Sequence, residues 1–386
     1  MQLANKLFML VFLIVLPACS PEMAAIKGCE AQGEILPICL FNNPEDIIAL
    51  NQQYLIISEM GGMEGDKPGK ISLYDTVNQQ VKLLYEGALY QDAQPQVVDQ
   101  TVTQTVAQMV KRGSNHCPGE PNKRFSPHGI DLVQHNDGSL ELLVINHGER
   151  EAVELFEINI KNGLEPSNDP DNVSLTWRGC VPVPDDQSMN DVAALNDGGF
   201  IATHMFDKHQ PKIFGLNTGM WLSMFGVATS YLLEWHPGDE NMQKLTAVKG
   251  AFFNGLVVSA DNKFIFVNVF NDNEVLKIDR ASGKVIAKAE VTKPDNSSWD
   301  EQHNLLVASN TASTLDLAAC LDEKYKICPT QFSVVKINPA TMMAETILRQ
   351  KGEPIGAGTV ATGLGEYLYV GSYQSDRIAR FPYPKK

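Results

Sequence analysis

Short apolar runs punctuated by Gly, Asn, Asp or Pro follow one another along this chain, and no stretch sustains a helical period. The runs fall at 54–59, 70–74, 140–146, 152–160, 199–204, 231–235, 263–269, 274–279, 305–309, 333–337 and 367–372. Segments of this length and composition between turn residues predict β-strands, with little helix. Several share one grammar: a strand of the LLVIN or FIFVN kind, a polar turn, then a second strand closing on an Asp or Asn turn, as from Phe264 to Asp279 followed by Ser282, Gly283 and Lys284. Recurrence of such a unit predicts propeller blades. A pair of β-sandwiches competes, but repeated four-strand units over this length fit a closed ring better. No low-complexity linker divides the chain, so 19–386 reads as one all-β domain. Two segments interrupt the pattern: 91–123 is polar, Pro-dotted and rich in Gln and Val, and 215–230 is apolar and aromatic. Both read as insertions between blade strands, placed to serve as lids.

The first residues do not belong to this pattern. Lys6 precedes an unbroken apolar run from Leu7 to Leu16, followed by Pro17, Ala18 and Cys19. That is the layout of a charged region, an apolar region and a small-residue cleavage site, and the run is too short to span a bilayer comfortably. Leu16-Pro17-Ala18-Cys19 resembles a lipobox, so 1–18 reads as a signal peptide and Cys19 as the lipid-bearing first residue of an exported chain. Cys29, Cys39, Cys117, Cys180, Cys320 and Cys328 then remain, an even set in a compartment that permits disulfides. Cys29/Cys39 and Cys320/Cys328 are close enough to staple loops, leaving Cys117 with Cys180, but six cysteines admit many pairings. A formal charge of −15 argues against nucleic acid, which demands basic patches, and suits a soluble body or one that holds cations.

Candidate chemistry lies in polar residues set among apolar ones. His128 follows a Pro and precedes a Gly in Phe125 to Asp131, and His147 ends the run Leu143 to Asn146. Asn190-Asp191, Asn254 and Asp295-Asn296 occupy similar settings, and Glu45-Asp46 opens the first blade. Oxygen ligands converging from distant segments are what a hard cation such as calcium takes.

The segments SPHGI, VINHG, MNDVAAL, FNGLVVSADNKFIFV and PDNSS, preceded by PED, resemble in order those of the paraoxonases. The resemblance continues to 358–361 and 367–372. It implies a six-bladed β-propeller with calcium in its central tunnel and hydrolysis of lactones or aryl esters. It implies a catalytic calcium on Glu45, Asn190, Asn254, Asp295 and Asn296, and a structural calcium on Asp46, Asp191 and the Ile130 carbonyl. His128 is implied as general base, with His147 orienting or relaying for it. The chain departs from the family at Asn310, where a further pocket histidine is common, and in lacking the terminal cysteine of the animal proteins. The first departure bears on substrate range; the second requires the first and last blades to close by strand pairing or by another bridge. The expected protein is a calcium-dependent hydrolase, lipid-anchored in the bacterial envelope and facing the periplasm or the exterior. The rival expectations are a gluconolactonase or strictosidine synthase-like enzyme on a related propeller, and a non-catalytic envelope propeller that keeps calcium for stability and binds a partner.

Overall fold

The structure, a computed structural model, describes residues 23–62, 65–88, 112–161, 170–184, 186–213, 216–320 and 325–384. Residues 1–18, the expected signal peptide, and Cys19 lie outside the described residues, as do residues 91–111 of the first of the two insertions.

Among the described residues six sheets of four or five strands succeed one another along the chain, antiparallel except where Arg112–Gly113 adds in parallel to the outer strand of the second, and the four main strands of each of the first five run from the innermost outward. The innermost strands are Pro44–Ala49, Pro127–Gln134, Gln187–Ala194, Phe253–Val258, Pro294–Trp299 and Gly358–Leu364, and they define blades 1 to 6 in that order. Consecutive innermost strands touch one another all the way round, the sixth against the first. The sequence had marked the second and third strands. Those are the apolar ones, because both of their faces pack against neighbouring blades: Tyr54–Glu59 and Leu305–Asn310 are buried throughout. The outermost strands Lys284–Glu290 and Ala344–Gln350 are mixed in composition and largely exposed, and Gln80–Tyr85 is mostly half-buried. They carry no alternation strong enough to read, and their charges guard the sheet edges against pairing.

Apolar clusters fill each gap between adjacent blades. Tyr54, Ile56, Leu142 and Phe156 join blades 1 and 2, Leu143, Val153, Phe200 and Trp235 join blades 2 and 3, and the series continues to Ile47, Leu55 and Tyr369 between blades 6 and 1. The ring closes by pairing: Leu36–Ile38, from the start of the chain, adds antiparallel to Ile378–Pro382 as the outer strand of blade 6. Cys29–Cys39 pins that arm, Cys117–Cys180 ties the residues before blade 2 to its outer strand, and Cys320–Cys328 staples the loop after the second strand of blade 5. In the second insertion the described residues form a short helix, Thr218–Met224, whose first turn is capped by Asn217 Oδ1 accepting from Gly219 N at 2.7 Å.

Candidate active site

Every innermost strand breaks register within its first few residues. The pairing slips between Pro44 and Asp46, Pro127 and Ile130, Met189 and Val192, Phe253 and Leu256, Pro294 and Ser297, and Gly358 and Val360. A bulge leaves a residue out of the ladder and re-aims its side chain. At the same end of six strands round a ring, the bulges direct Glu45, His128, Asn190, Asn254, Asp295, Asn296 and Thr359 toward one axis. Two glycines make the convergence possible. A Cβ on Gly129 would stand 2.4 Å from Asp191 Oδ1, and one on Gly255 would stand 2.6 Å from Asn296 Cα. In each case the pair carried by the next blade occupies the space a side chain would fill.

Four of the side chains named from the sequence are linked by contacts, and Asn190, on the bulge of blade 3, donates to Met205 Sδ at 3.4 Å. Asn296 Nδ2 donates to Glu45 Oε1 at 2.7 Å, and Asn254 hydrogen-bonds Asp295. Yet Glu45 Oε2, Asn190 Oδ1, Asn254 Oδ1 and Asn296 Oδ1 are buried without a hydrogen-bond partner. Each such acceptor costs roughly 1–3 kcal/mol if left so. Burial, and then the charge of Glu45, raises the Asp295 carboxyl well above its ordinary range. Oxygens that only accept, together with two carboxylates in a dry setting, fit a divalent hard cation. Among the described residues no three His, Cys, Asp or Glu side chains cluster as a metal site; the donors here are largely amides, which suits calcium better than zinc.

Below this set lies a second pair of carboxylates. Asp46 accepts from Ile47 N and Ile130 N, and Asp191 from Val192 N and Leu256 N, all at 2.8 Å. Each carboxylate therefore stitches its own blade to the next. Burial first, and then the neighbouring Glu45, push Asp46 up to about 8; Asp191 is likewise raised by burial and by Asp46. Two carboxylates in this condition call for a cation or a proton between them. Asp131, which the sequence did not single out, repeats the stitch from blade 2 to blade 3 through Ala194 N at 2.7 Å.

The two histidines meet beside the donor cluster. His128 Nδ1 is 2.8 Å from His147 Nε2, and His128 Nε2 is 3.4 Å from Glu45 Oε1. His147 Nδ1 lies 2.8 Å from Glu151 Oε1, a buried carboxylate that also accepts from Met189 N at 2.8 Å and pairs with Lys208. Burial pulls the His128 ring down, but Glu45, Asp46 and Glu151 more than offset it and hold it above its ordinary value. Burial holds the His147 ring below its ordinary value, and Glu151 offsets that only in part. Burial raises Glu151 itself, yet His147 and Lys208 outweigh it and keep the carboxyl below the usual range. Glu151 was legible at most as an acidic residue four positions after His147; nothing local marked Lys208, whose place follows from the packing of blade 3 on blade 2.

Other positions stay apart from this centre. His204 stacks on Tyr231 with ring centroids 4.0 Å apart and bonds Asp207 through Nε2 at 3.0 Å. Asn310 Oδ1 accepts from Ala312 N at 3.1 Å and closes the turn after its strand. Two open clefts, one beside Arg112, His135 and Glu141 and one beside Asn304 and Tyr383, lie away from the axis and from the donor cluster.

Comparison with known proteins agrees with this architecture. The chain is 25% identical over 172 residues to human serum paraoxonase/arylesterase 2, covering 44% of each protein. It is 26% identical over 152 residues to human serum paraoxonase/lactonase 3, covering 39% of this chain and 37% of that one. The chain thus spans under half the length of the curated relatives it matches. Among solved structures, a gluconolactonase from Xanthomonas campestris superposes with a TM-score of 0.50 at 14% identity, covering 91% of this chain and 89% of that one, a likeness of fold alone. The profile of the family described as Arylesterase matches residues 34–349, from just before the closing strand through the fifth blade, and takes in every donor and both histidines of the cluster. The chain belongs to the arylesterase family.

Proposed function

We propose that the protein is a calcium-dependent hydrolase of lactones or aryl esters. The observation that carries this reading is the set of four orphaned buried oxygens beside a hydrogen-bonded histidine pair. Glu45, Asn190, Asn254, Asp295 and Asn296 would hold one calcium, and Asp46, Asp191 and the carbonyl of Ile130 would hold a second. When bound, the first cation supplies polarisation of the substrate carbonyl and neutralises charge developing on its oxygen. His128 removes a proton from water at Nε2, the ring atom that faces Glu45, while its Nδ1 stays bonded to His147. The water oxygen bonds to the carbonyl carbon, the acyl C–O bond breaks, and the proton on His128 passes to the departing alkoxide or phenolate. A cation on Glu45 would neutralise the charge that lifts the His128 pKa, and burial would then favour the neutral, proton-accepting ring.

The test is hydrolysis of γ- and δ-lactones and phenyl acetate by the full chain in detergent, with calcium and with excess chelator. Turnover that needs calcium and falls about 10²- to 10⁴-fold in His128→Gln, with calcium affinity kept, is the expected result. A folded, calcium-loaded protein inert on the whole panel would instead favour the non-catalytic propeller. The reading also places the protein in the bacterial envelope through a lipid on Cys19, facing the periplasm or the exterior. No helix among the described residues is long and apolar enough to cross a membrane. Incorporation of labelled palmitate, abolished in Cys19→Ser, tests the anchor.

A further inference from the structure

Glu151 is 2% exposed, and none of the proposed bond changes involves it. It sits at the far end of the turn that begins at His147, and it is held from two blades. Its Oε1 receives Met189 N at 2.8 Å and its Oε2 receives the Lys208 ammonium, both from blade 3, while blade 2 supplies its backbone. Lys208 is in turn fixed by its own N–H, which donates to Asp186 O at 2.6 Å. The carboxylate therefore has a set position and, beside an ammonium, a set charge.

A charged carboxylate can only accept a hydrogen bond. At 2.8 Å from Oε1, His147 Nδ1 must carry the hydrogen, which leaves His147 Nε2 bare. That bare nitrogen is 2.8 Å from His128 Nδ1, which must then donate, so that whenever the His128 ring is neutral its Nε2 is the bare atom. The orientation of the whole chain of bonds is decided at its buried end. Reversed, His147 would donate from Nε2, and His128 would carry its hydrogen on Nε2, the atom facing Glu45 and the donor cluster. A ring in that state has no lone pair to offer water there. We propose that Glu151, clamped by Met189 N and Lys208, is a positioning residue that fixes the tautomers of His147 and His128 and so selects His128 Nε2 as the proton acceptor. The proposal rests on the hydrolase reading only for its effect on rate; the tautomers themselves can be read without any substrate.

The experiment compares three forms of the full chain with calcium present: wild type, Glu151→Gln, and Glu151→Leu combined with Lys208→Met, the last so that no unpaired ammonium is left behind. Nitrogen-15 spectra of histidine-labelled, deuterated protein at mildly alkaline pH report which ring nitrogen of each residue bears hydrogen. Wild type should show both rings with Nδ1 protonated and Nε2 bare. The double variant should show His128 mixed or reversed, with kcat down about 10- to 100-fold, the population ratio that a charge-assisted hydrogen bond sustains, and KM within about twofold. Gln, whose side-chain oxygen can still accept from His147 and Met189, should keep the wild-type tautomers and most of kcat. A double variant whose His128 keeps a bare Nε2, or a wild type with the opposite tautomers, overturns the proposal. A wild type that hydrolyses nothing yet shows the expected tautomers and their loss would count against the hydrolase reading and leave the role of Glu151 standing.

Discussion

Replacing Gly255 with Ala tests whether the close approach of blades 4 and 5 assembles the cation site. The added Cβ would stand 2.6 Å from Asn296 Cα and 2.7 Å from Asp295 O, both backbone atoms that cannot swing aside. Non-bonded carbons settle at about 3.5–4.0 Å, so the bulge of blade 5 must retreat by about 1 Å. Calcium–oxygen distances span only about 2.3–2.6 Å, and the retreat carries two of the five proposed donors, Asp295 and Asn296, out of that range. Overpacking of this kind costs about 1–3 kcal/mol. Without the cation the bulge is free to relax, so the cost falls on binding and weakens calcium affinity about 5- to 150-fold. Titration calorimetry on chelator-stripped protein measures it, with circular dichroism to confirm that the sheets persist. An affinity within twofold of wild type would mean that the glycine is incidental and the reasoning wrong. Gly129→Ala is the companion: its Cβ would meet Asp191 Oδ1 at 2.4 Å, so its effect should fall on the Asp46/Asp191 pair and on calcium-dependent thermal stability.

Other outcomes follow from the same geometry. Burial and the neighbouring Glu45 raise Asp46 from 3.8 to about 8 in the cation-free fold. A carboxyl raised on folding contributes stability that is whole below its unfolded pKa and lost as pH climbs through the folded one. Chelator-treated protein should therefore lose melting temperature as pH rises from about 4 to about 8, and calcium or Asp46→Asn should flatten that slope; an unchanged slope in Asp46→Asn counts against it. Removing Cys117–Cys180, which closes a separation of 63 residues, should cost about 4 kcal/mol in urea unfolding, against about 2.5 kcal/mol for Cys320–Cys328, with its separation of 8. Equal losses from the two would remove loop length as the cause.

The apolar second and third strands of each blade were legible because alternation and turn residues are local properties, as in 264–269 and 274–279. So were the candidate donors, since a polar pair such as Asn190-Asp191 or Asp295-Asn296 inside an apolar run has few local uses. The outer strands, such as Lys284–Glu290, were not legible: their pairing depends on a neighbour and their composition is mixed. Disulfide partners stayed open for the same reason.

Sequence alone therefore determined that the chain builds repeated β units and which side chains are chemically out of place in them, because both follow from residues within a few positions of one another. Only the tertiary structure decided that six bulges point at one axis, that Gly129 and Gly255 are absences of side chain where the next blade's donors stand, and that Lys208 reaches Glu151 across 57 residues. Convergence of this kind is a property of ring closure, set by how blades pack and not by what any one segment prefers.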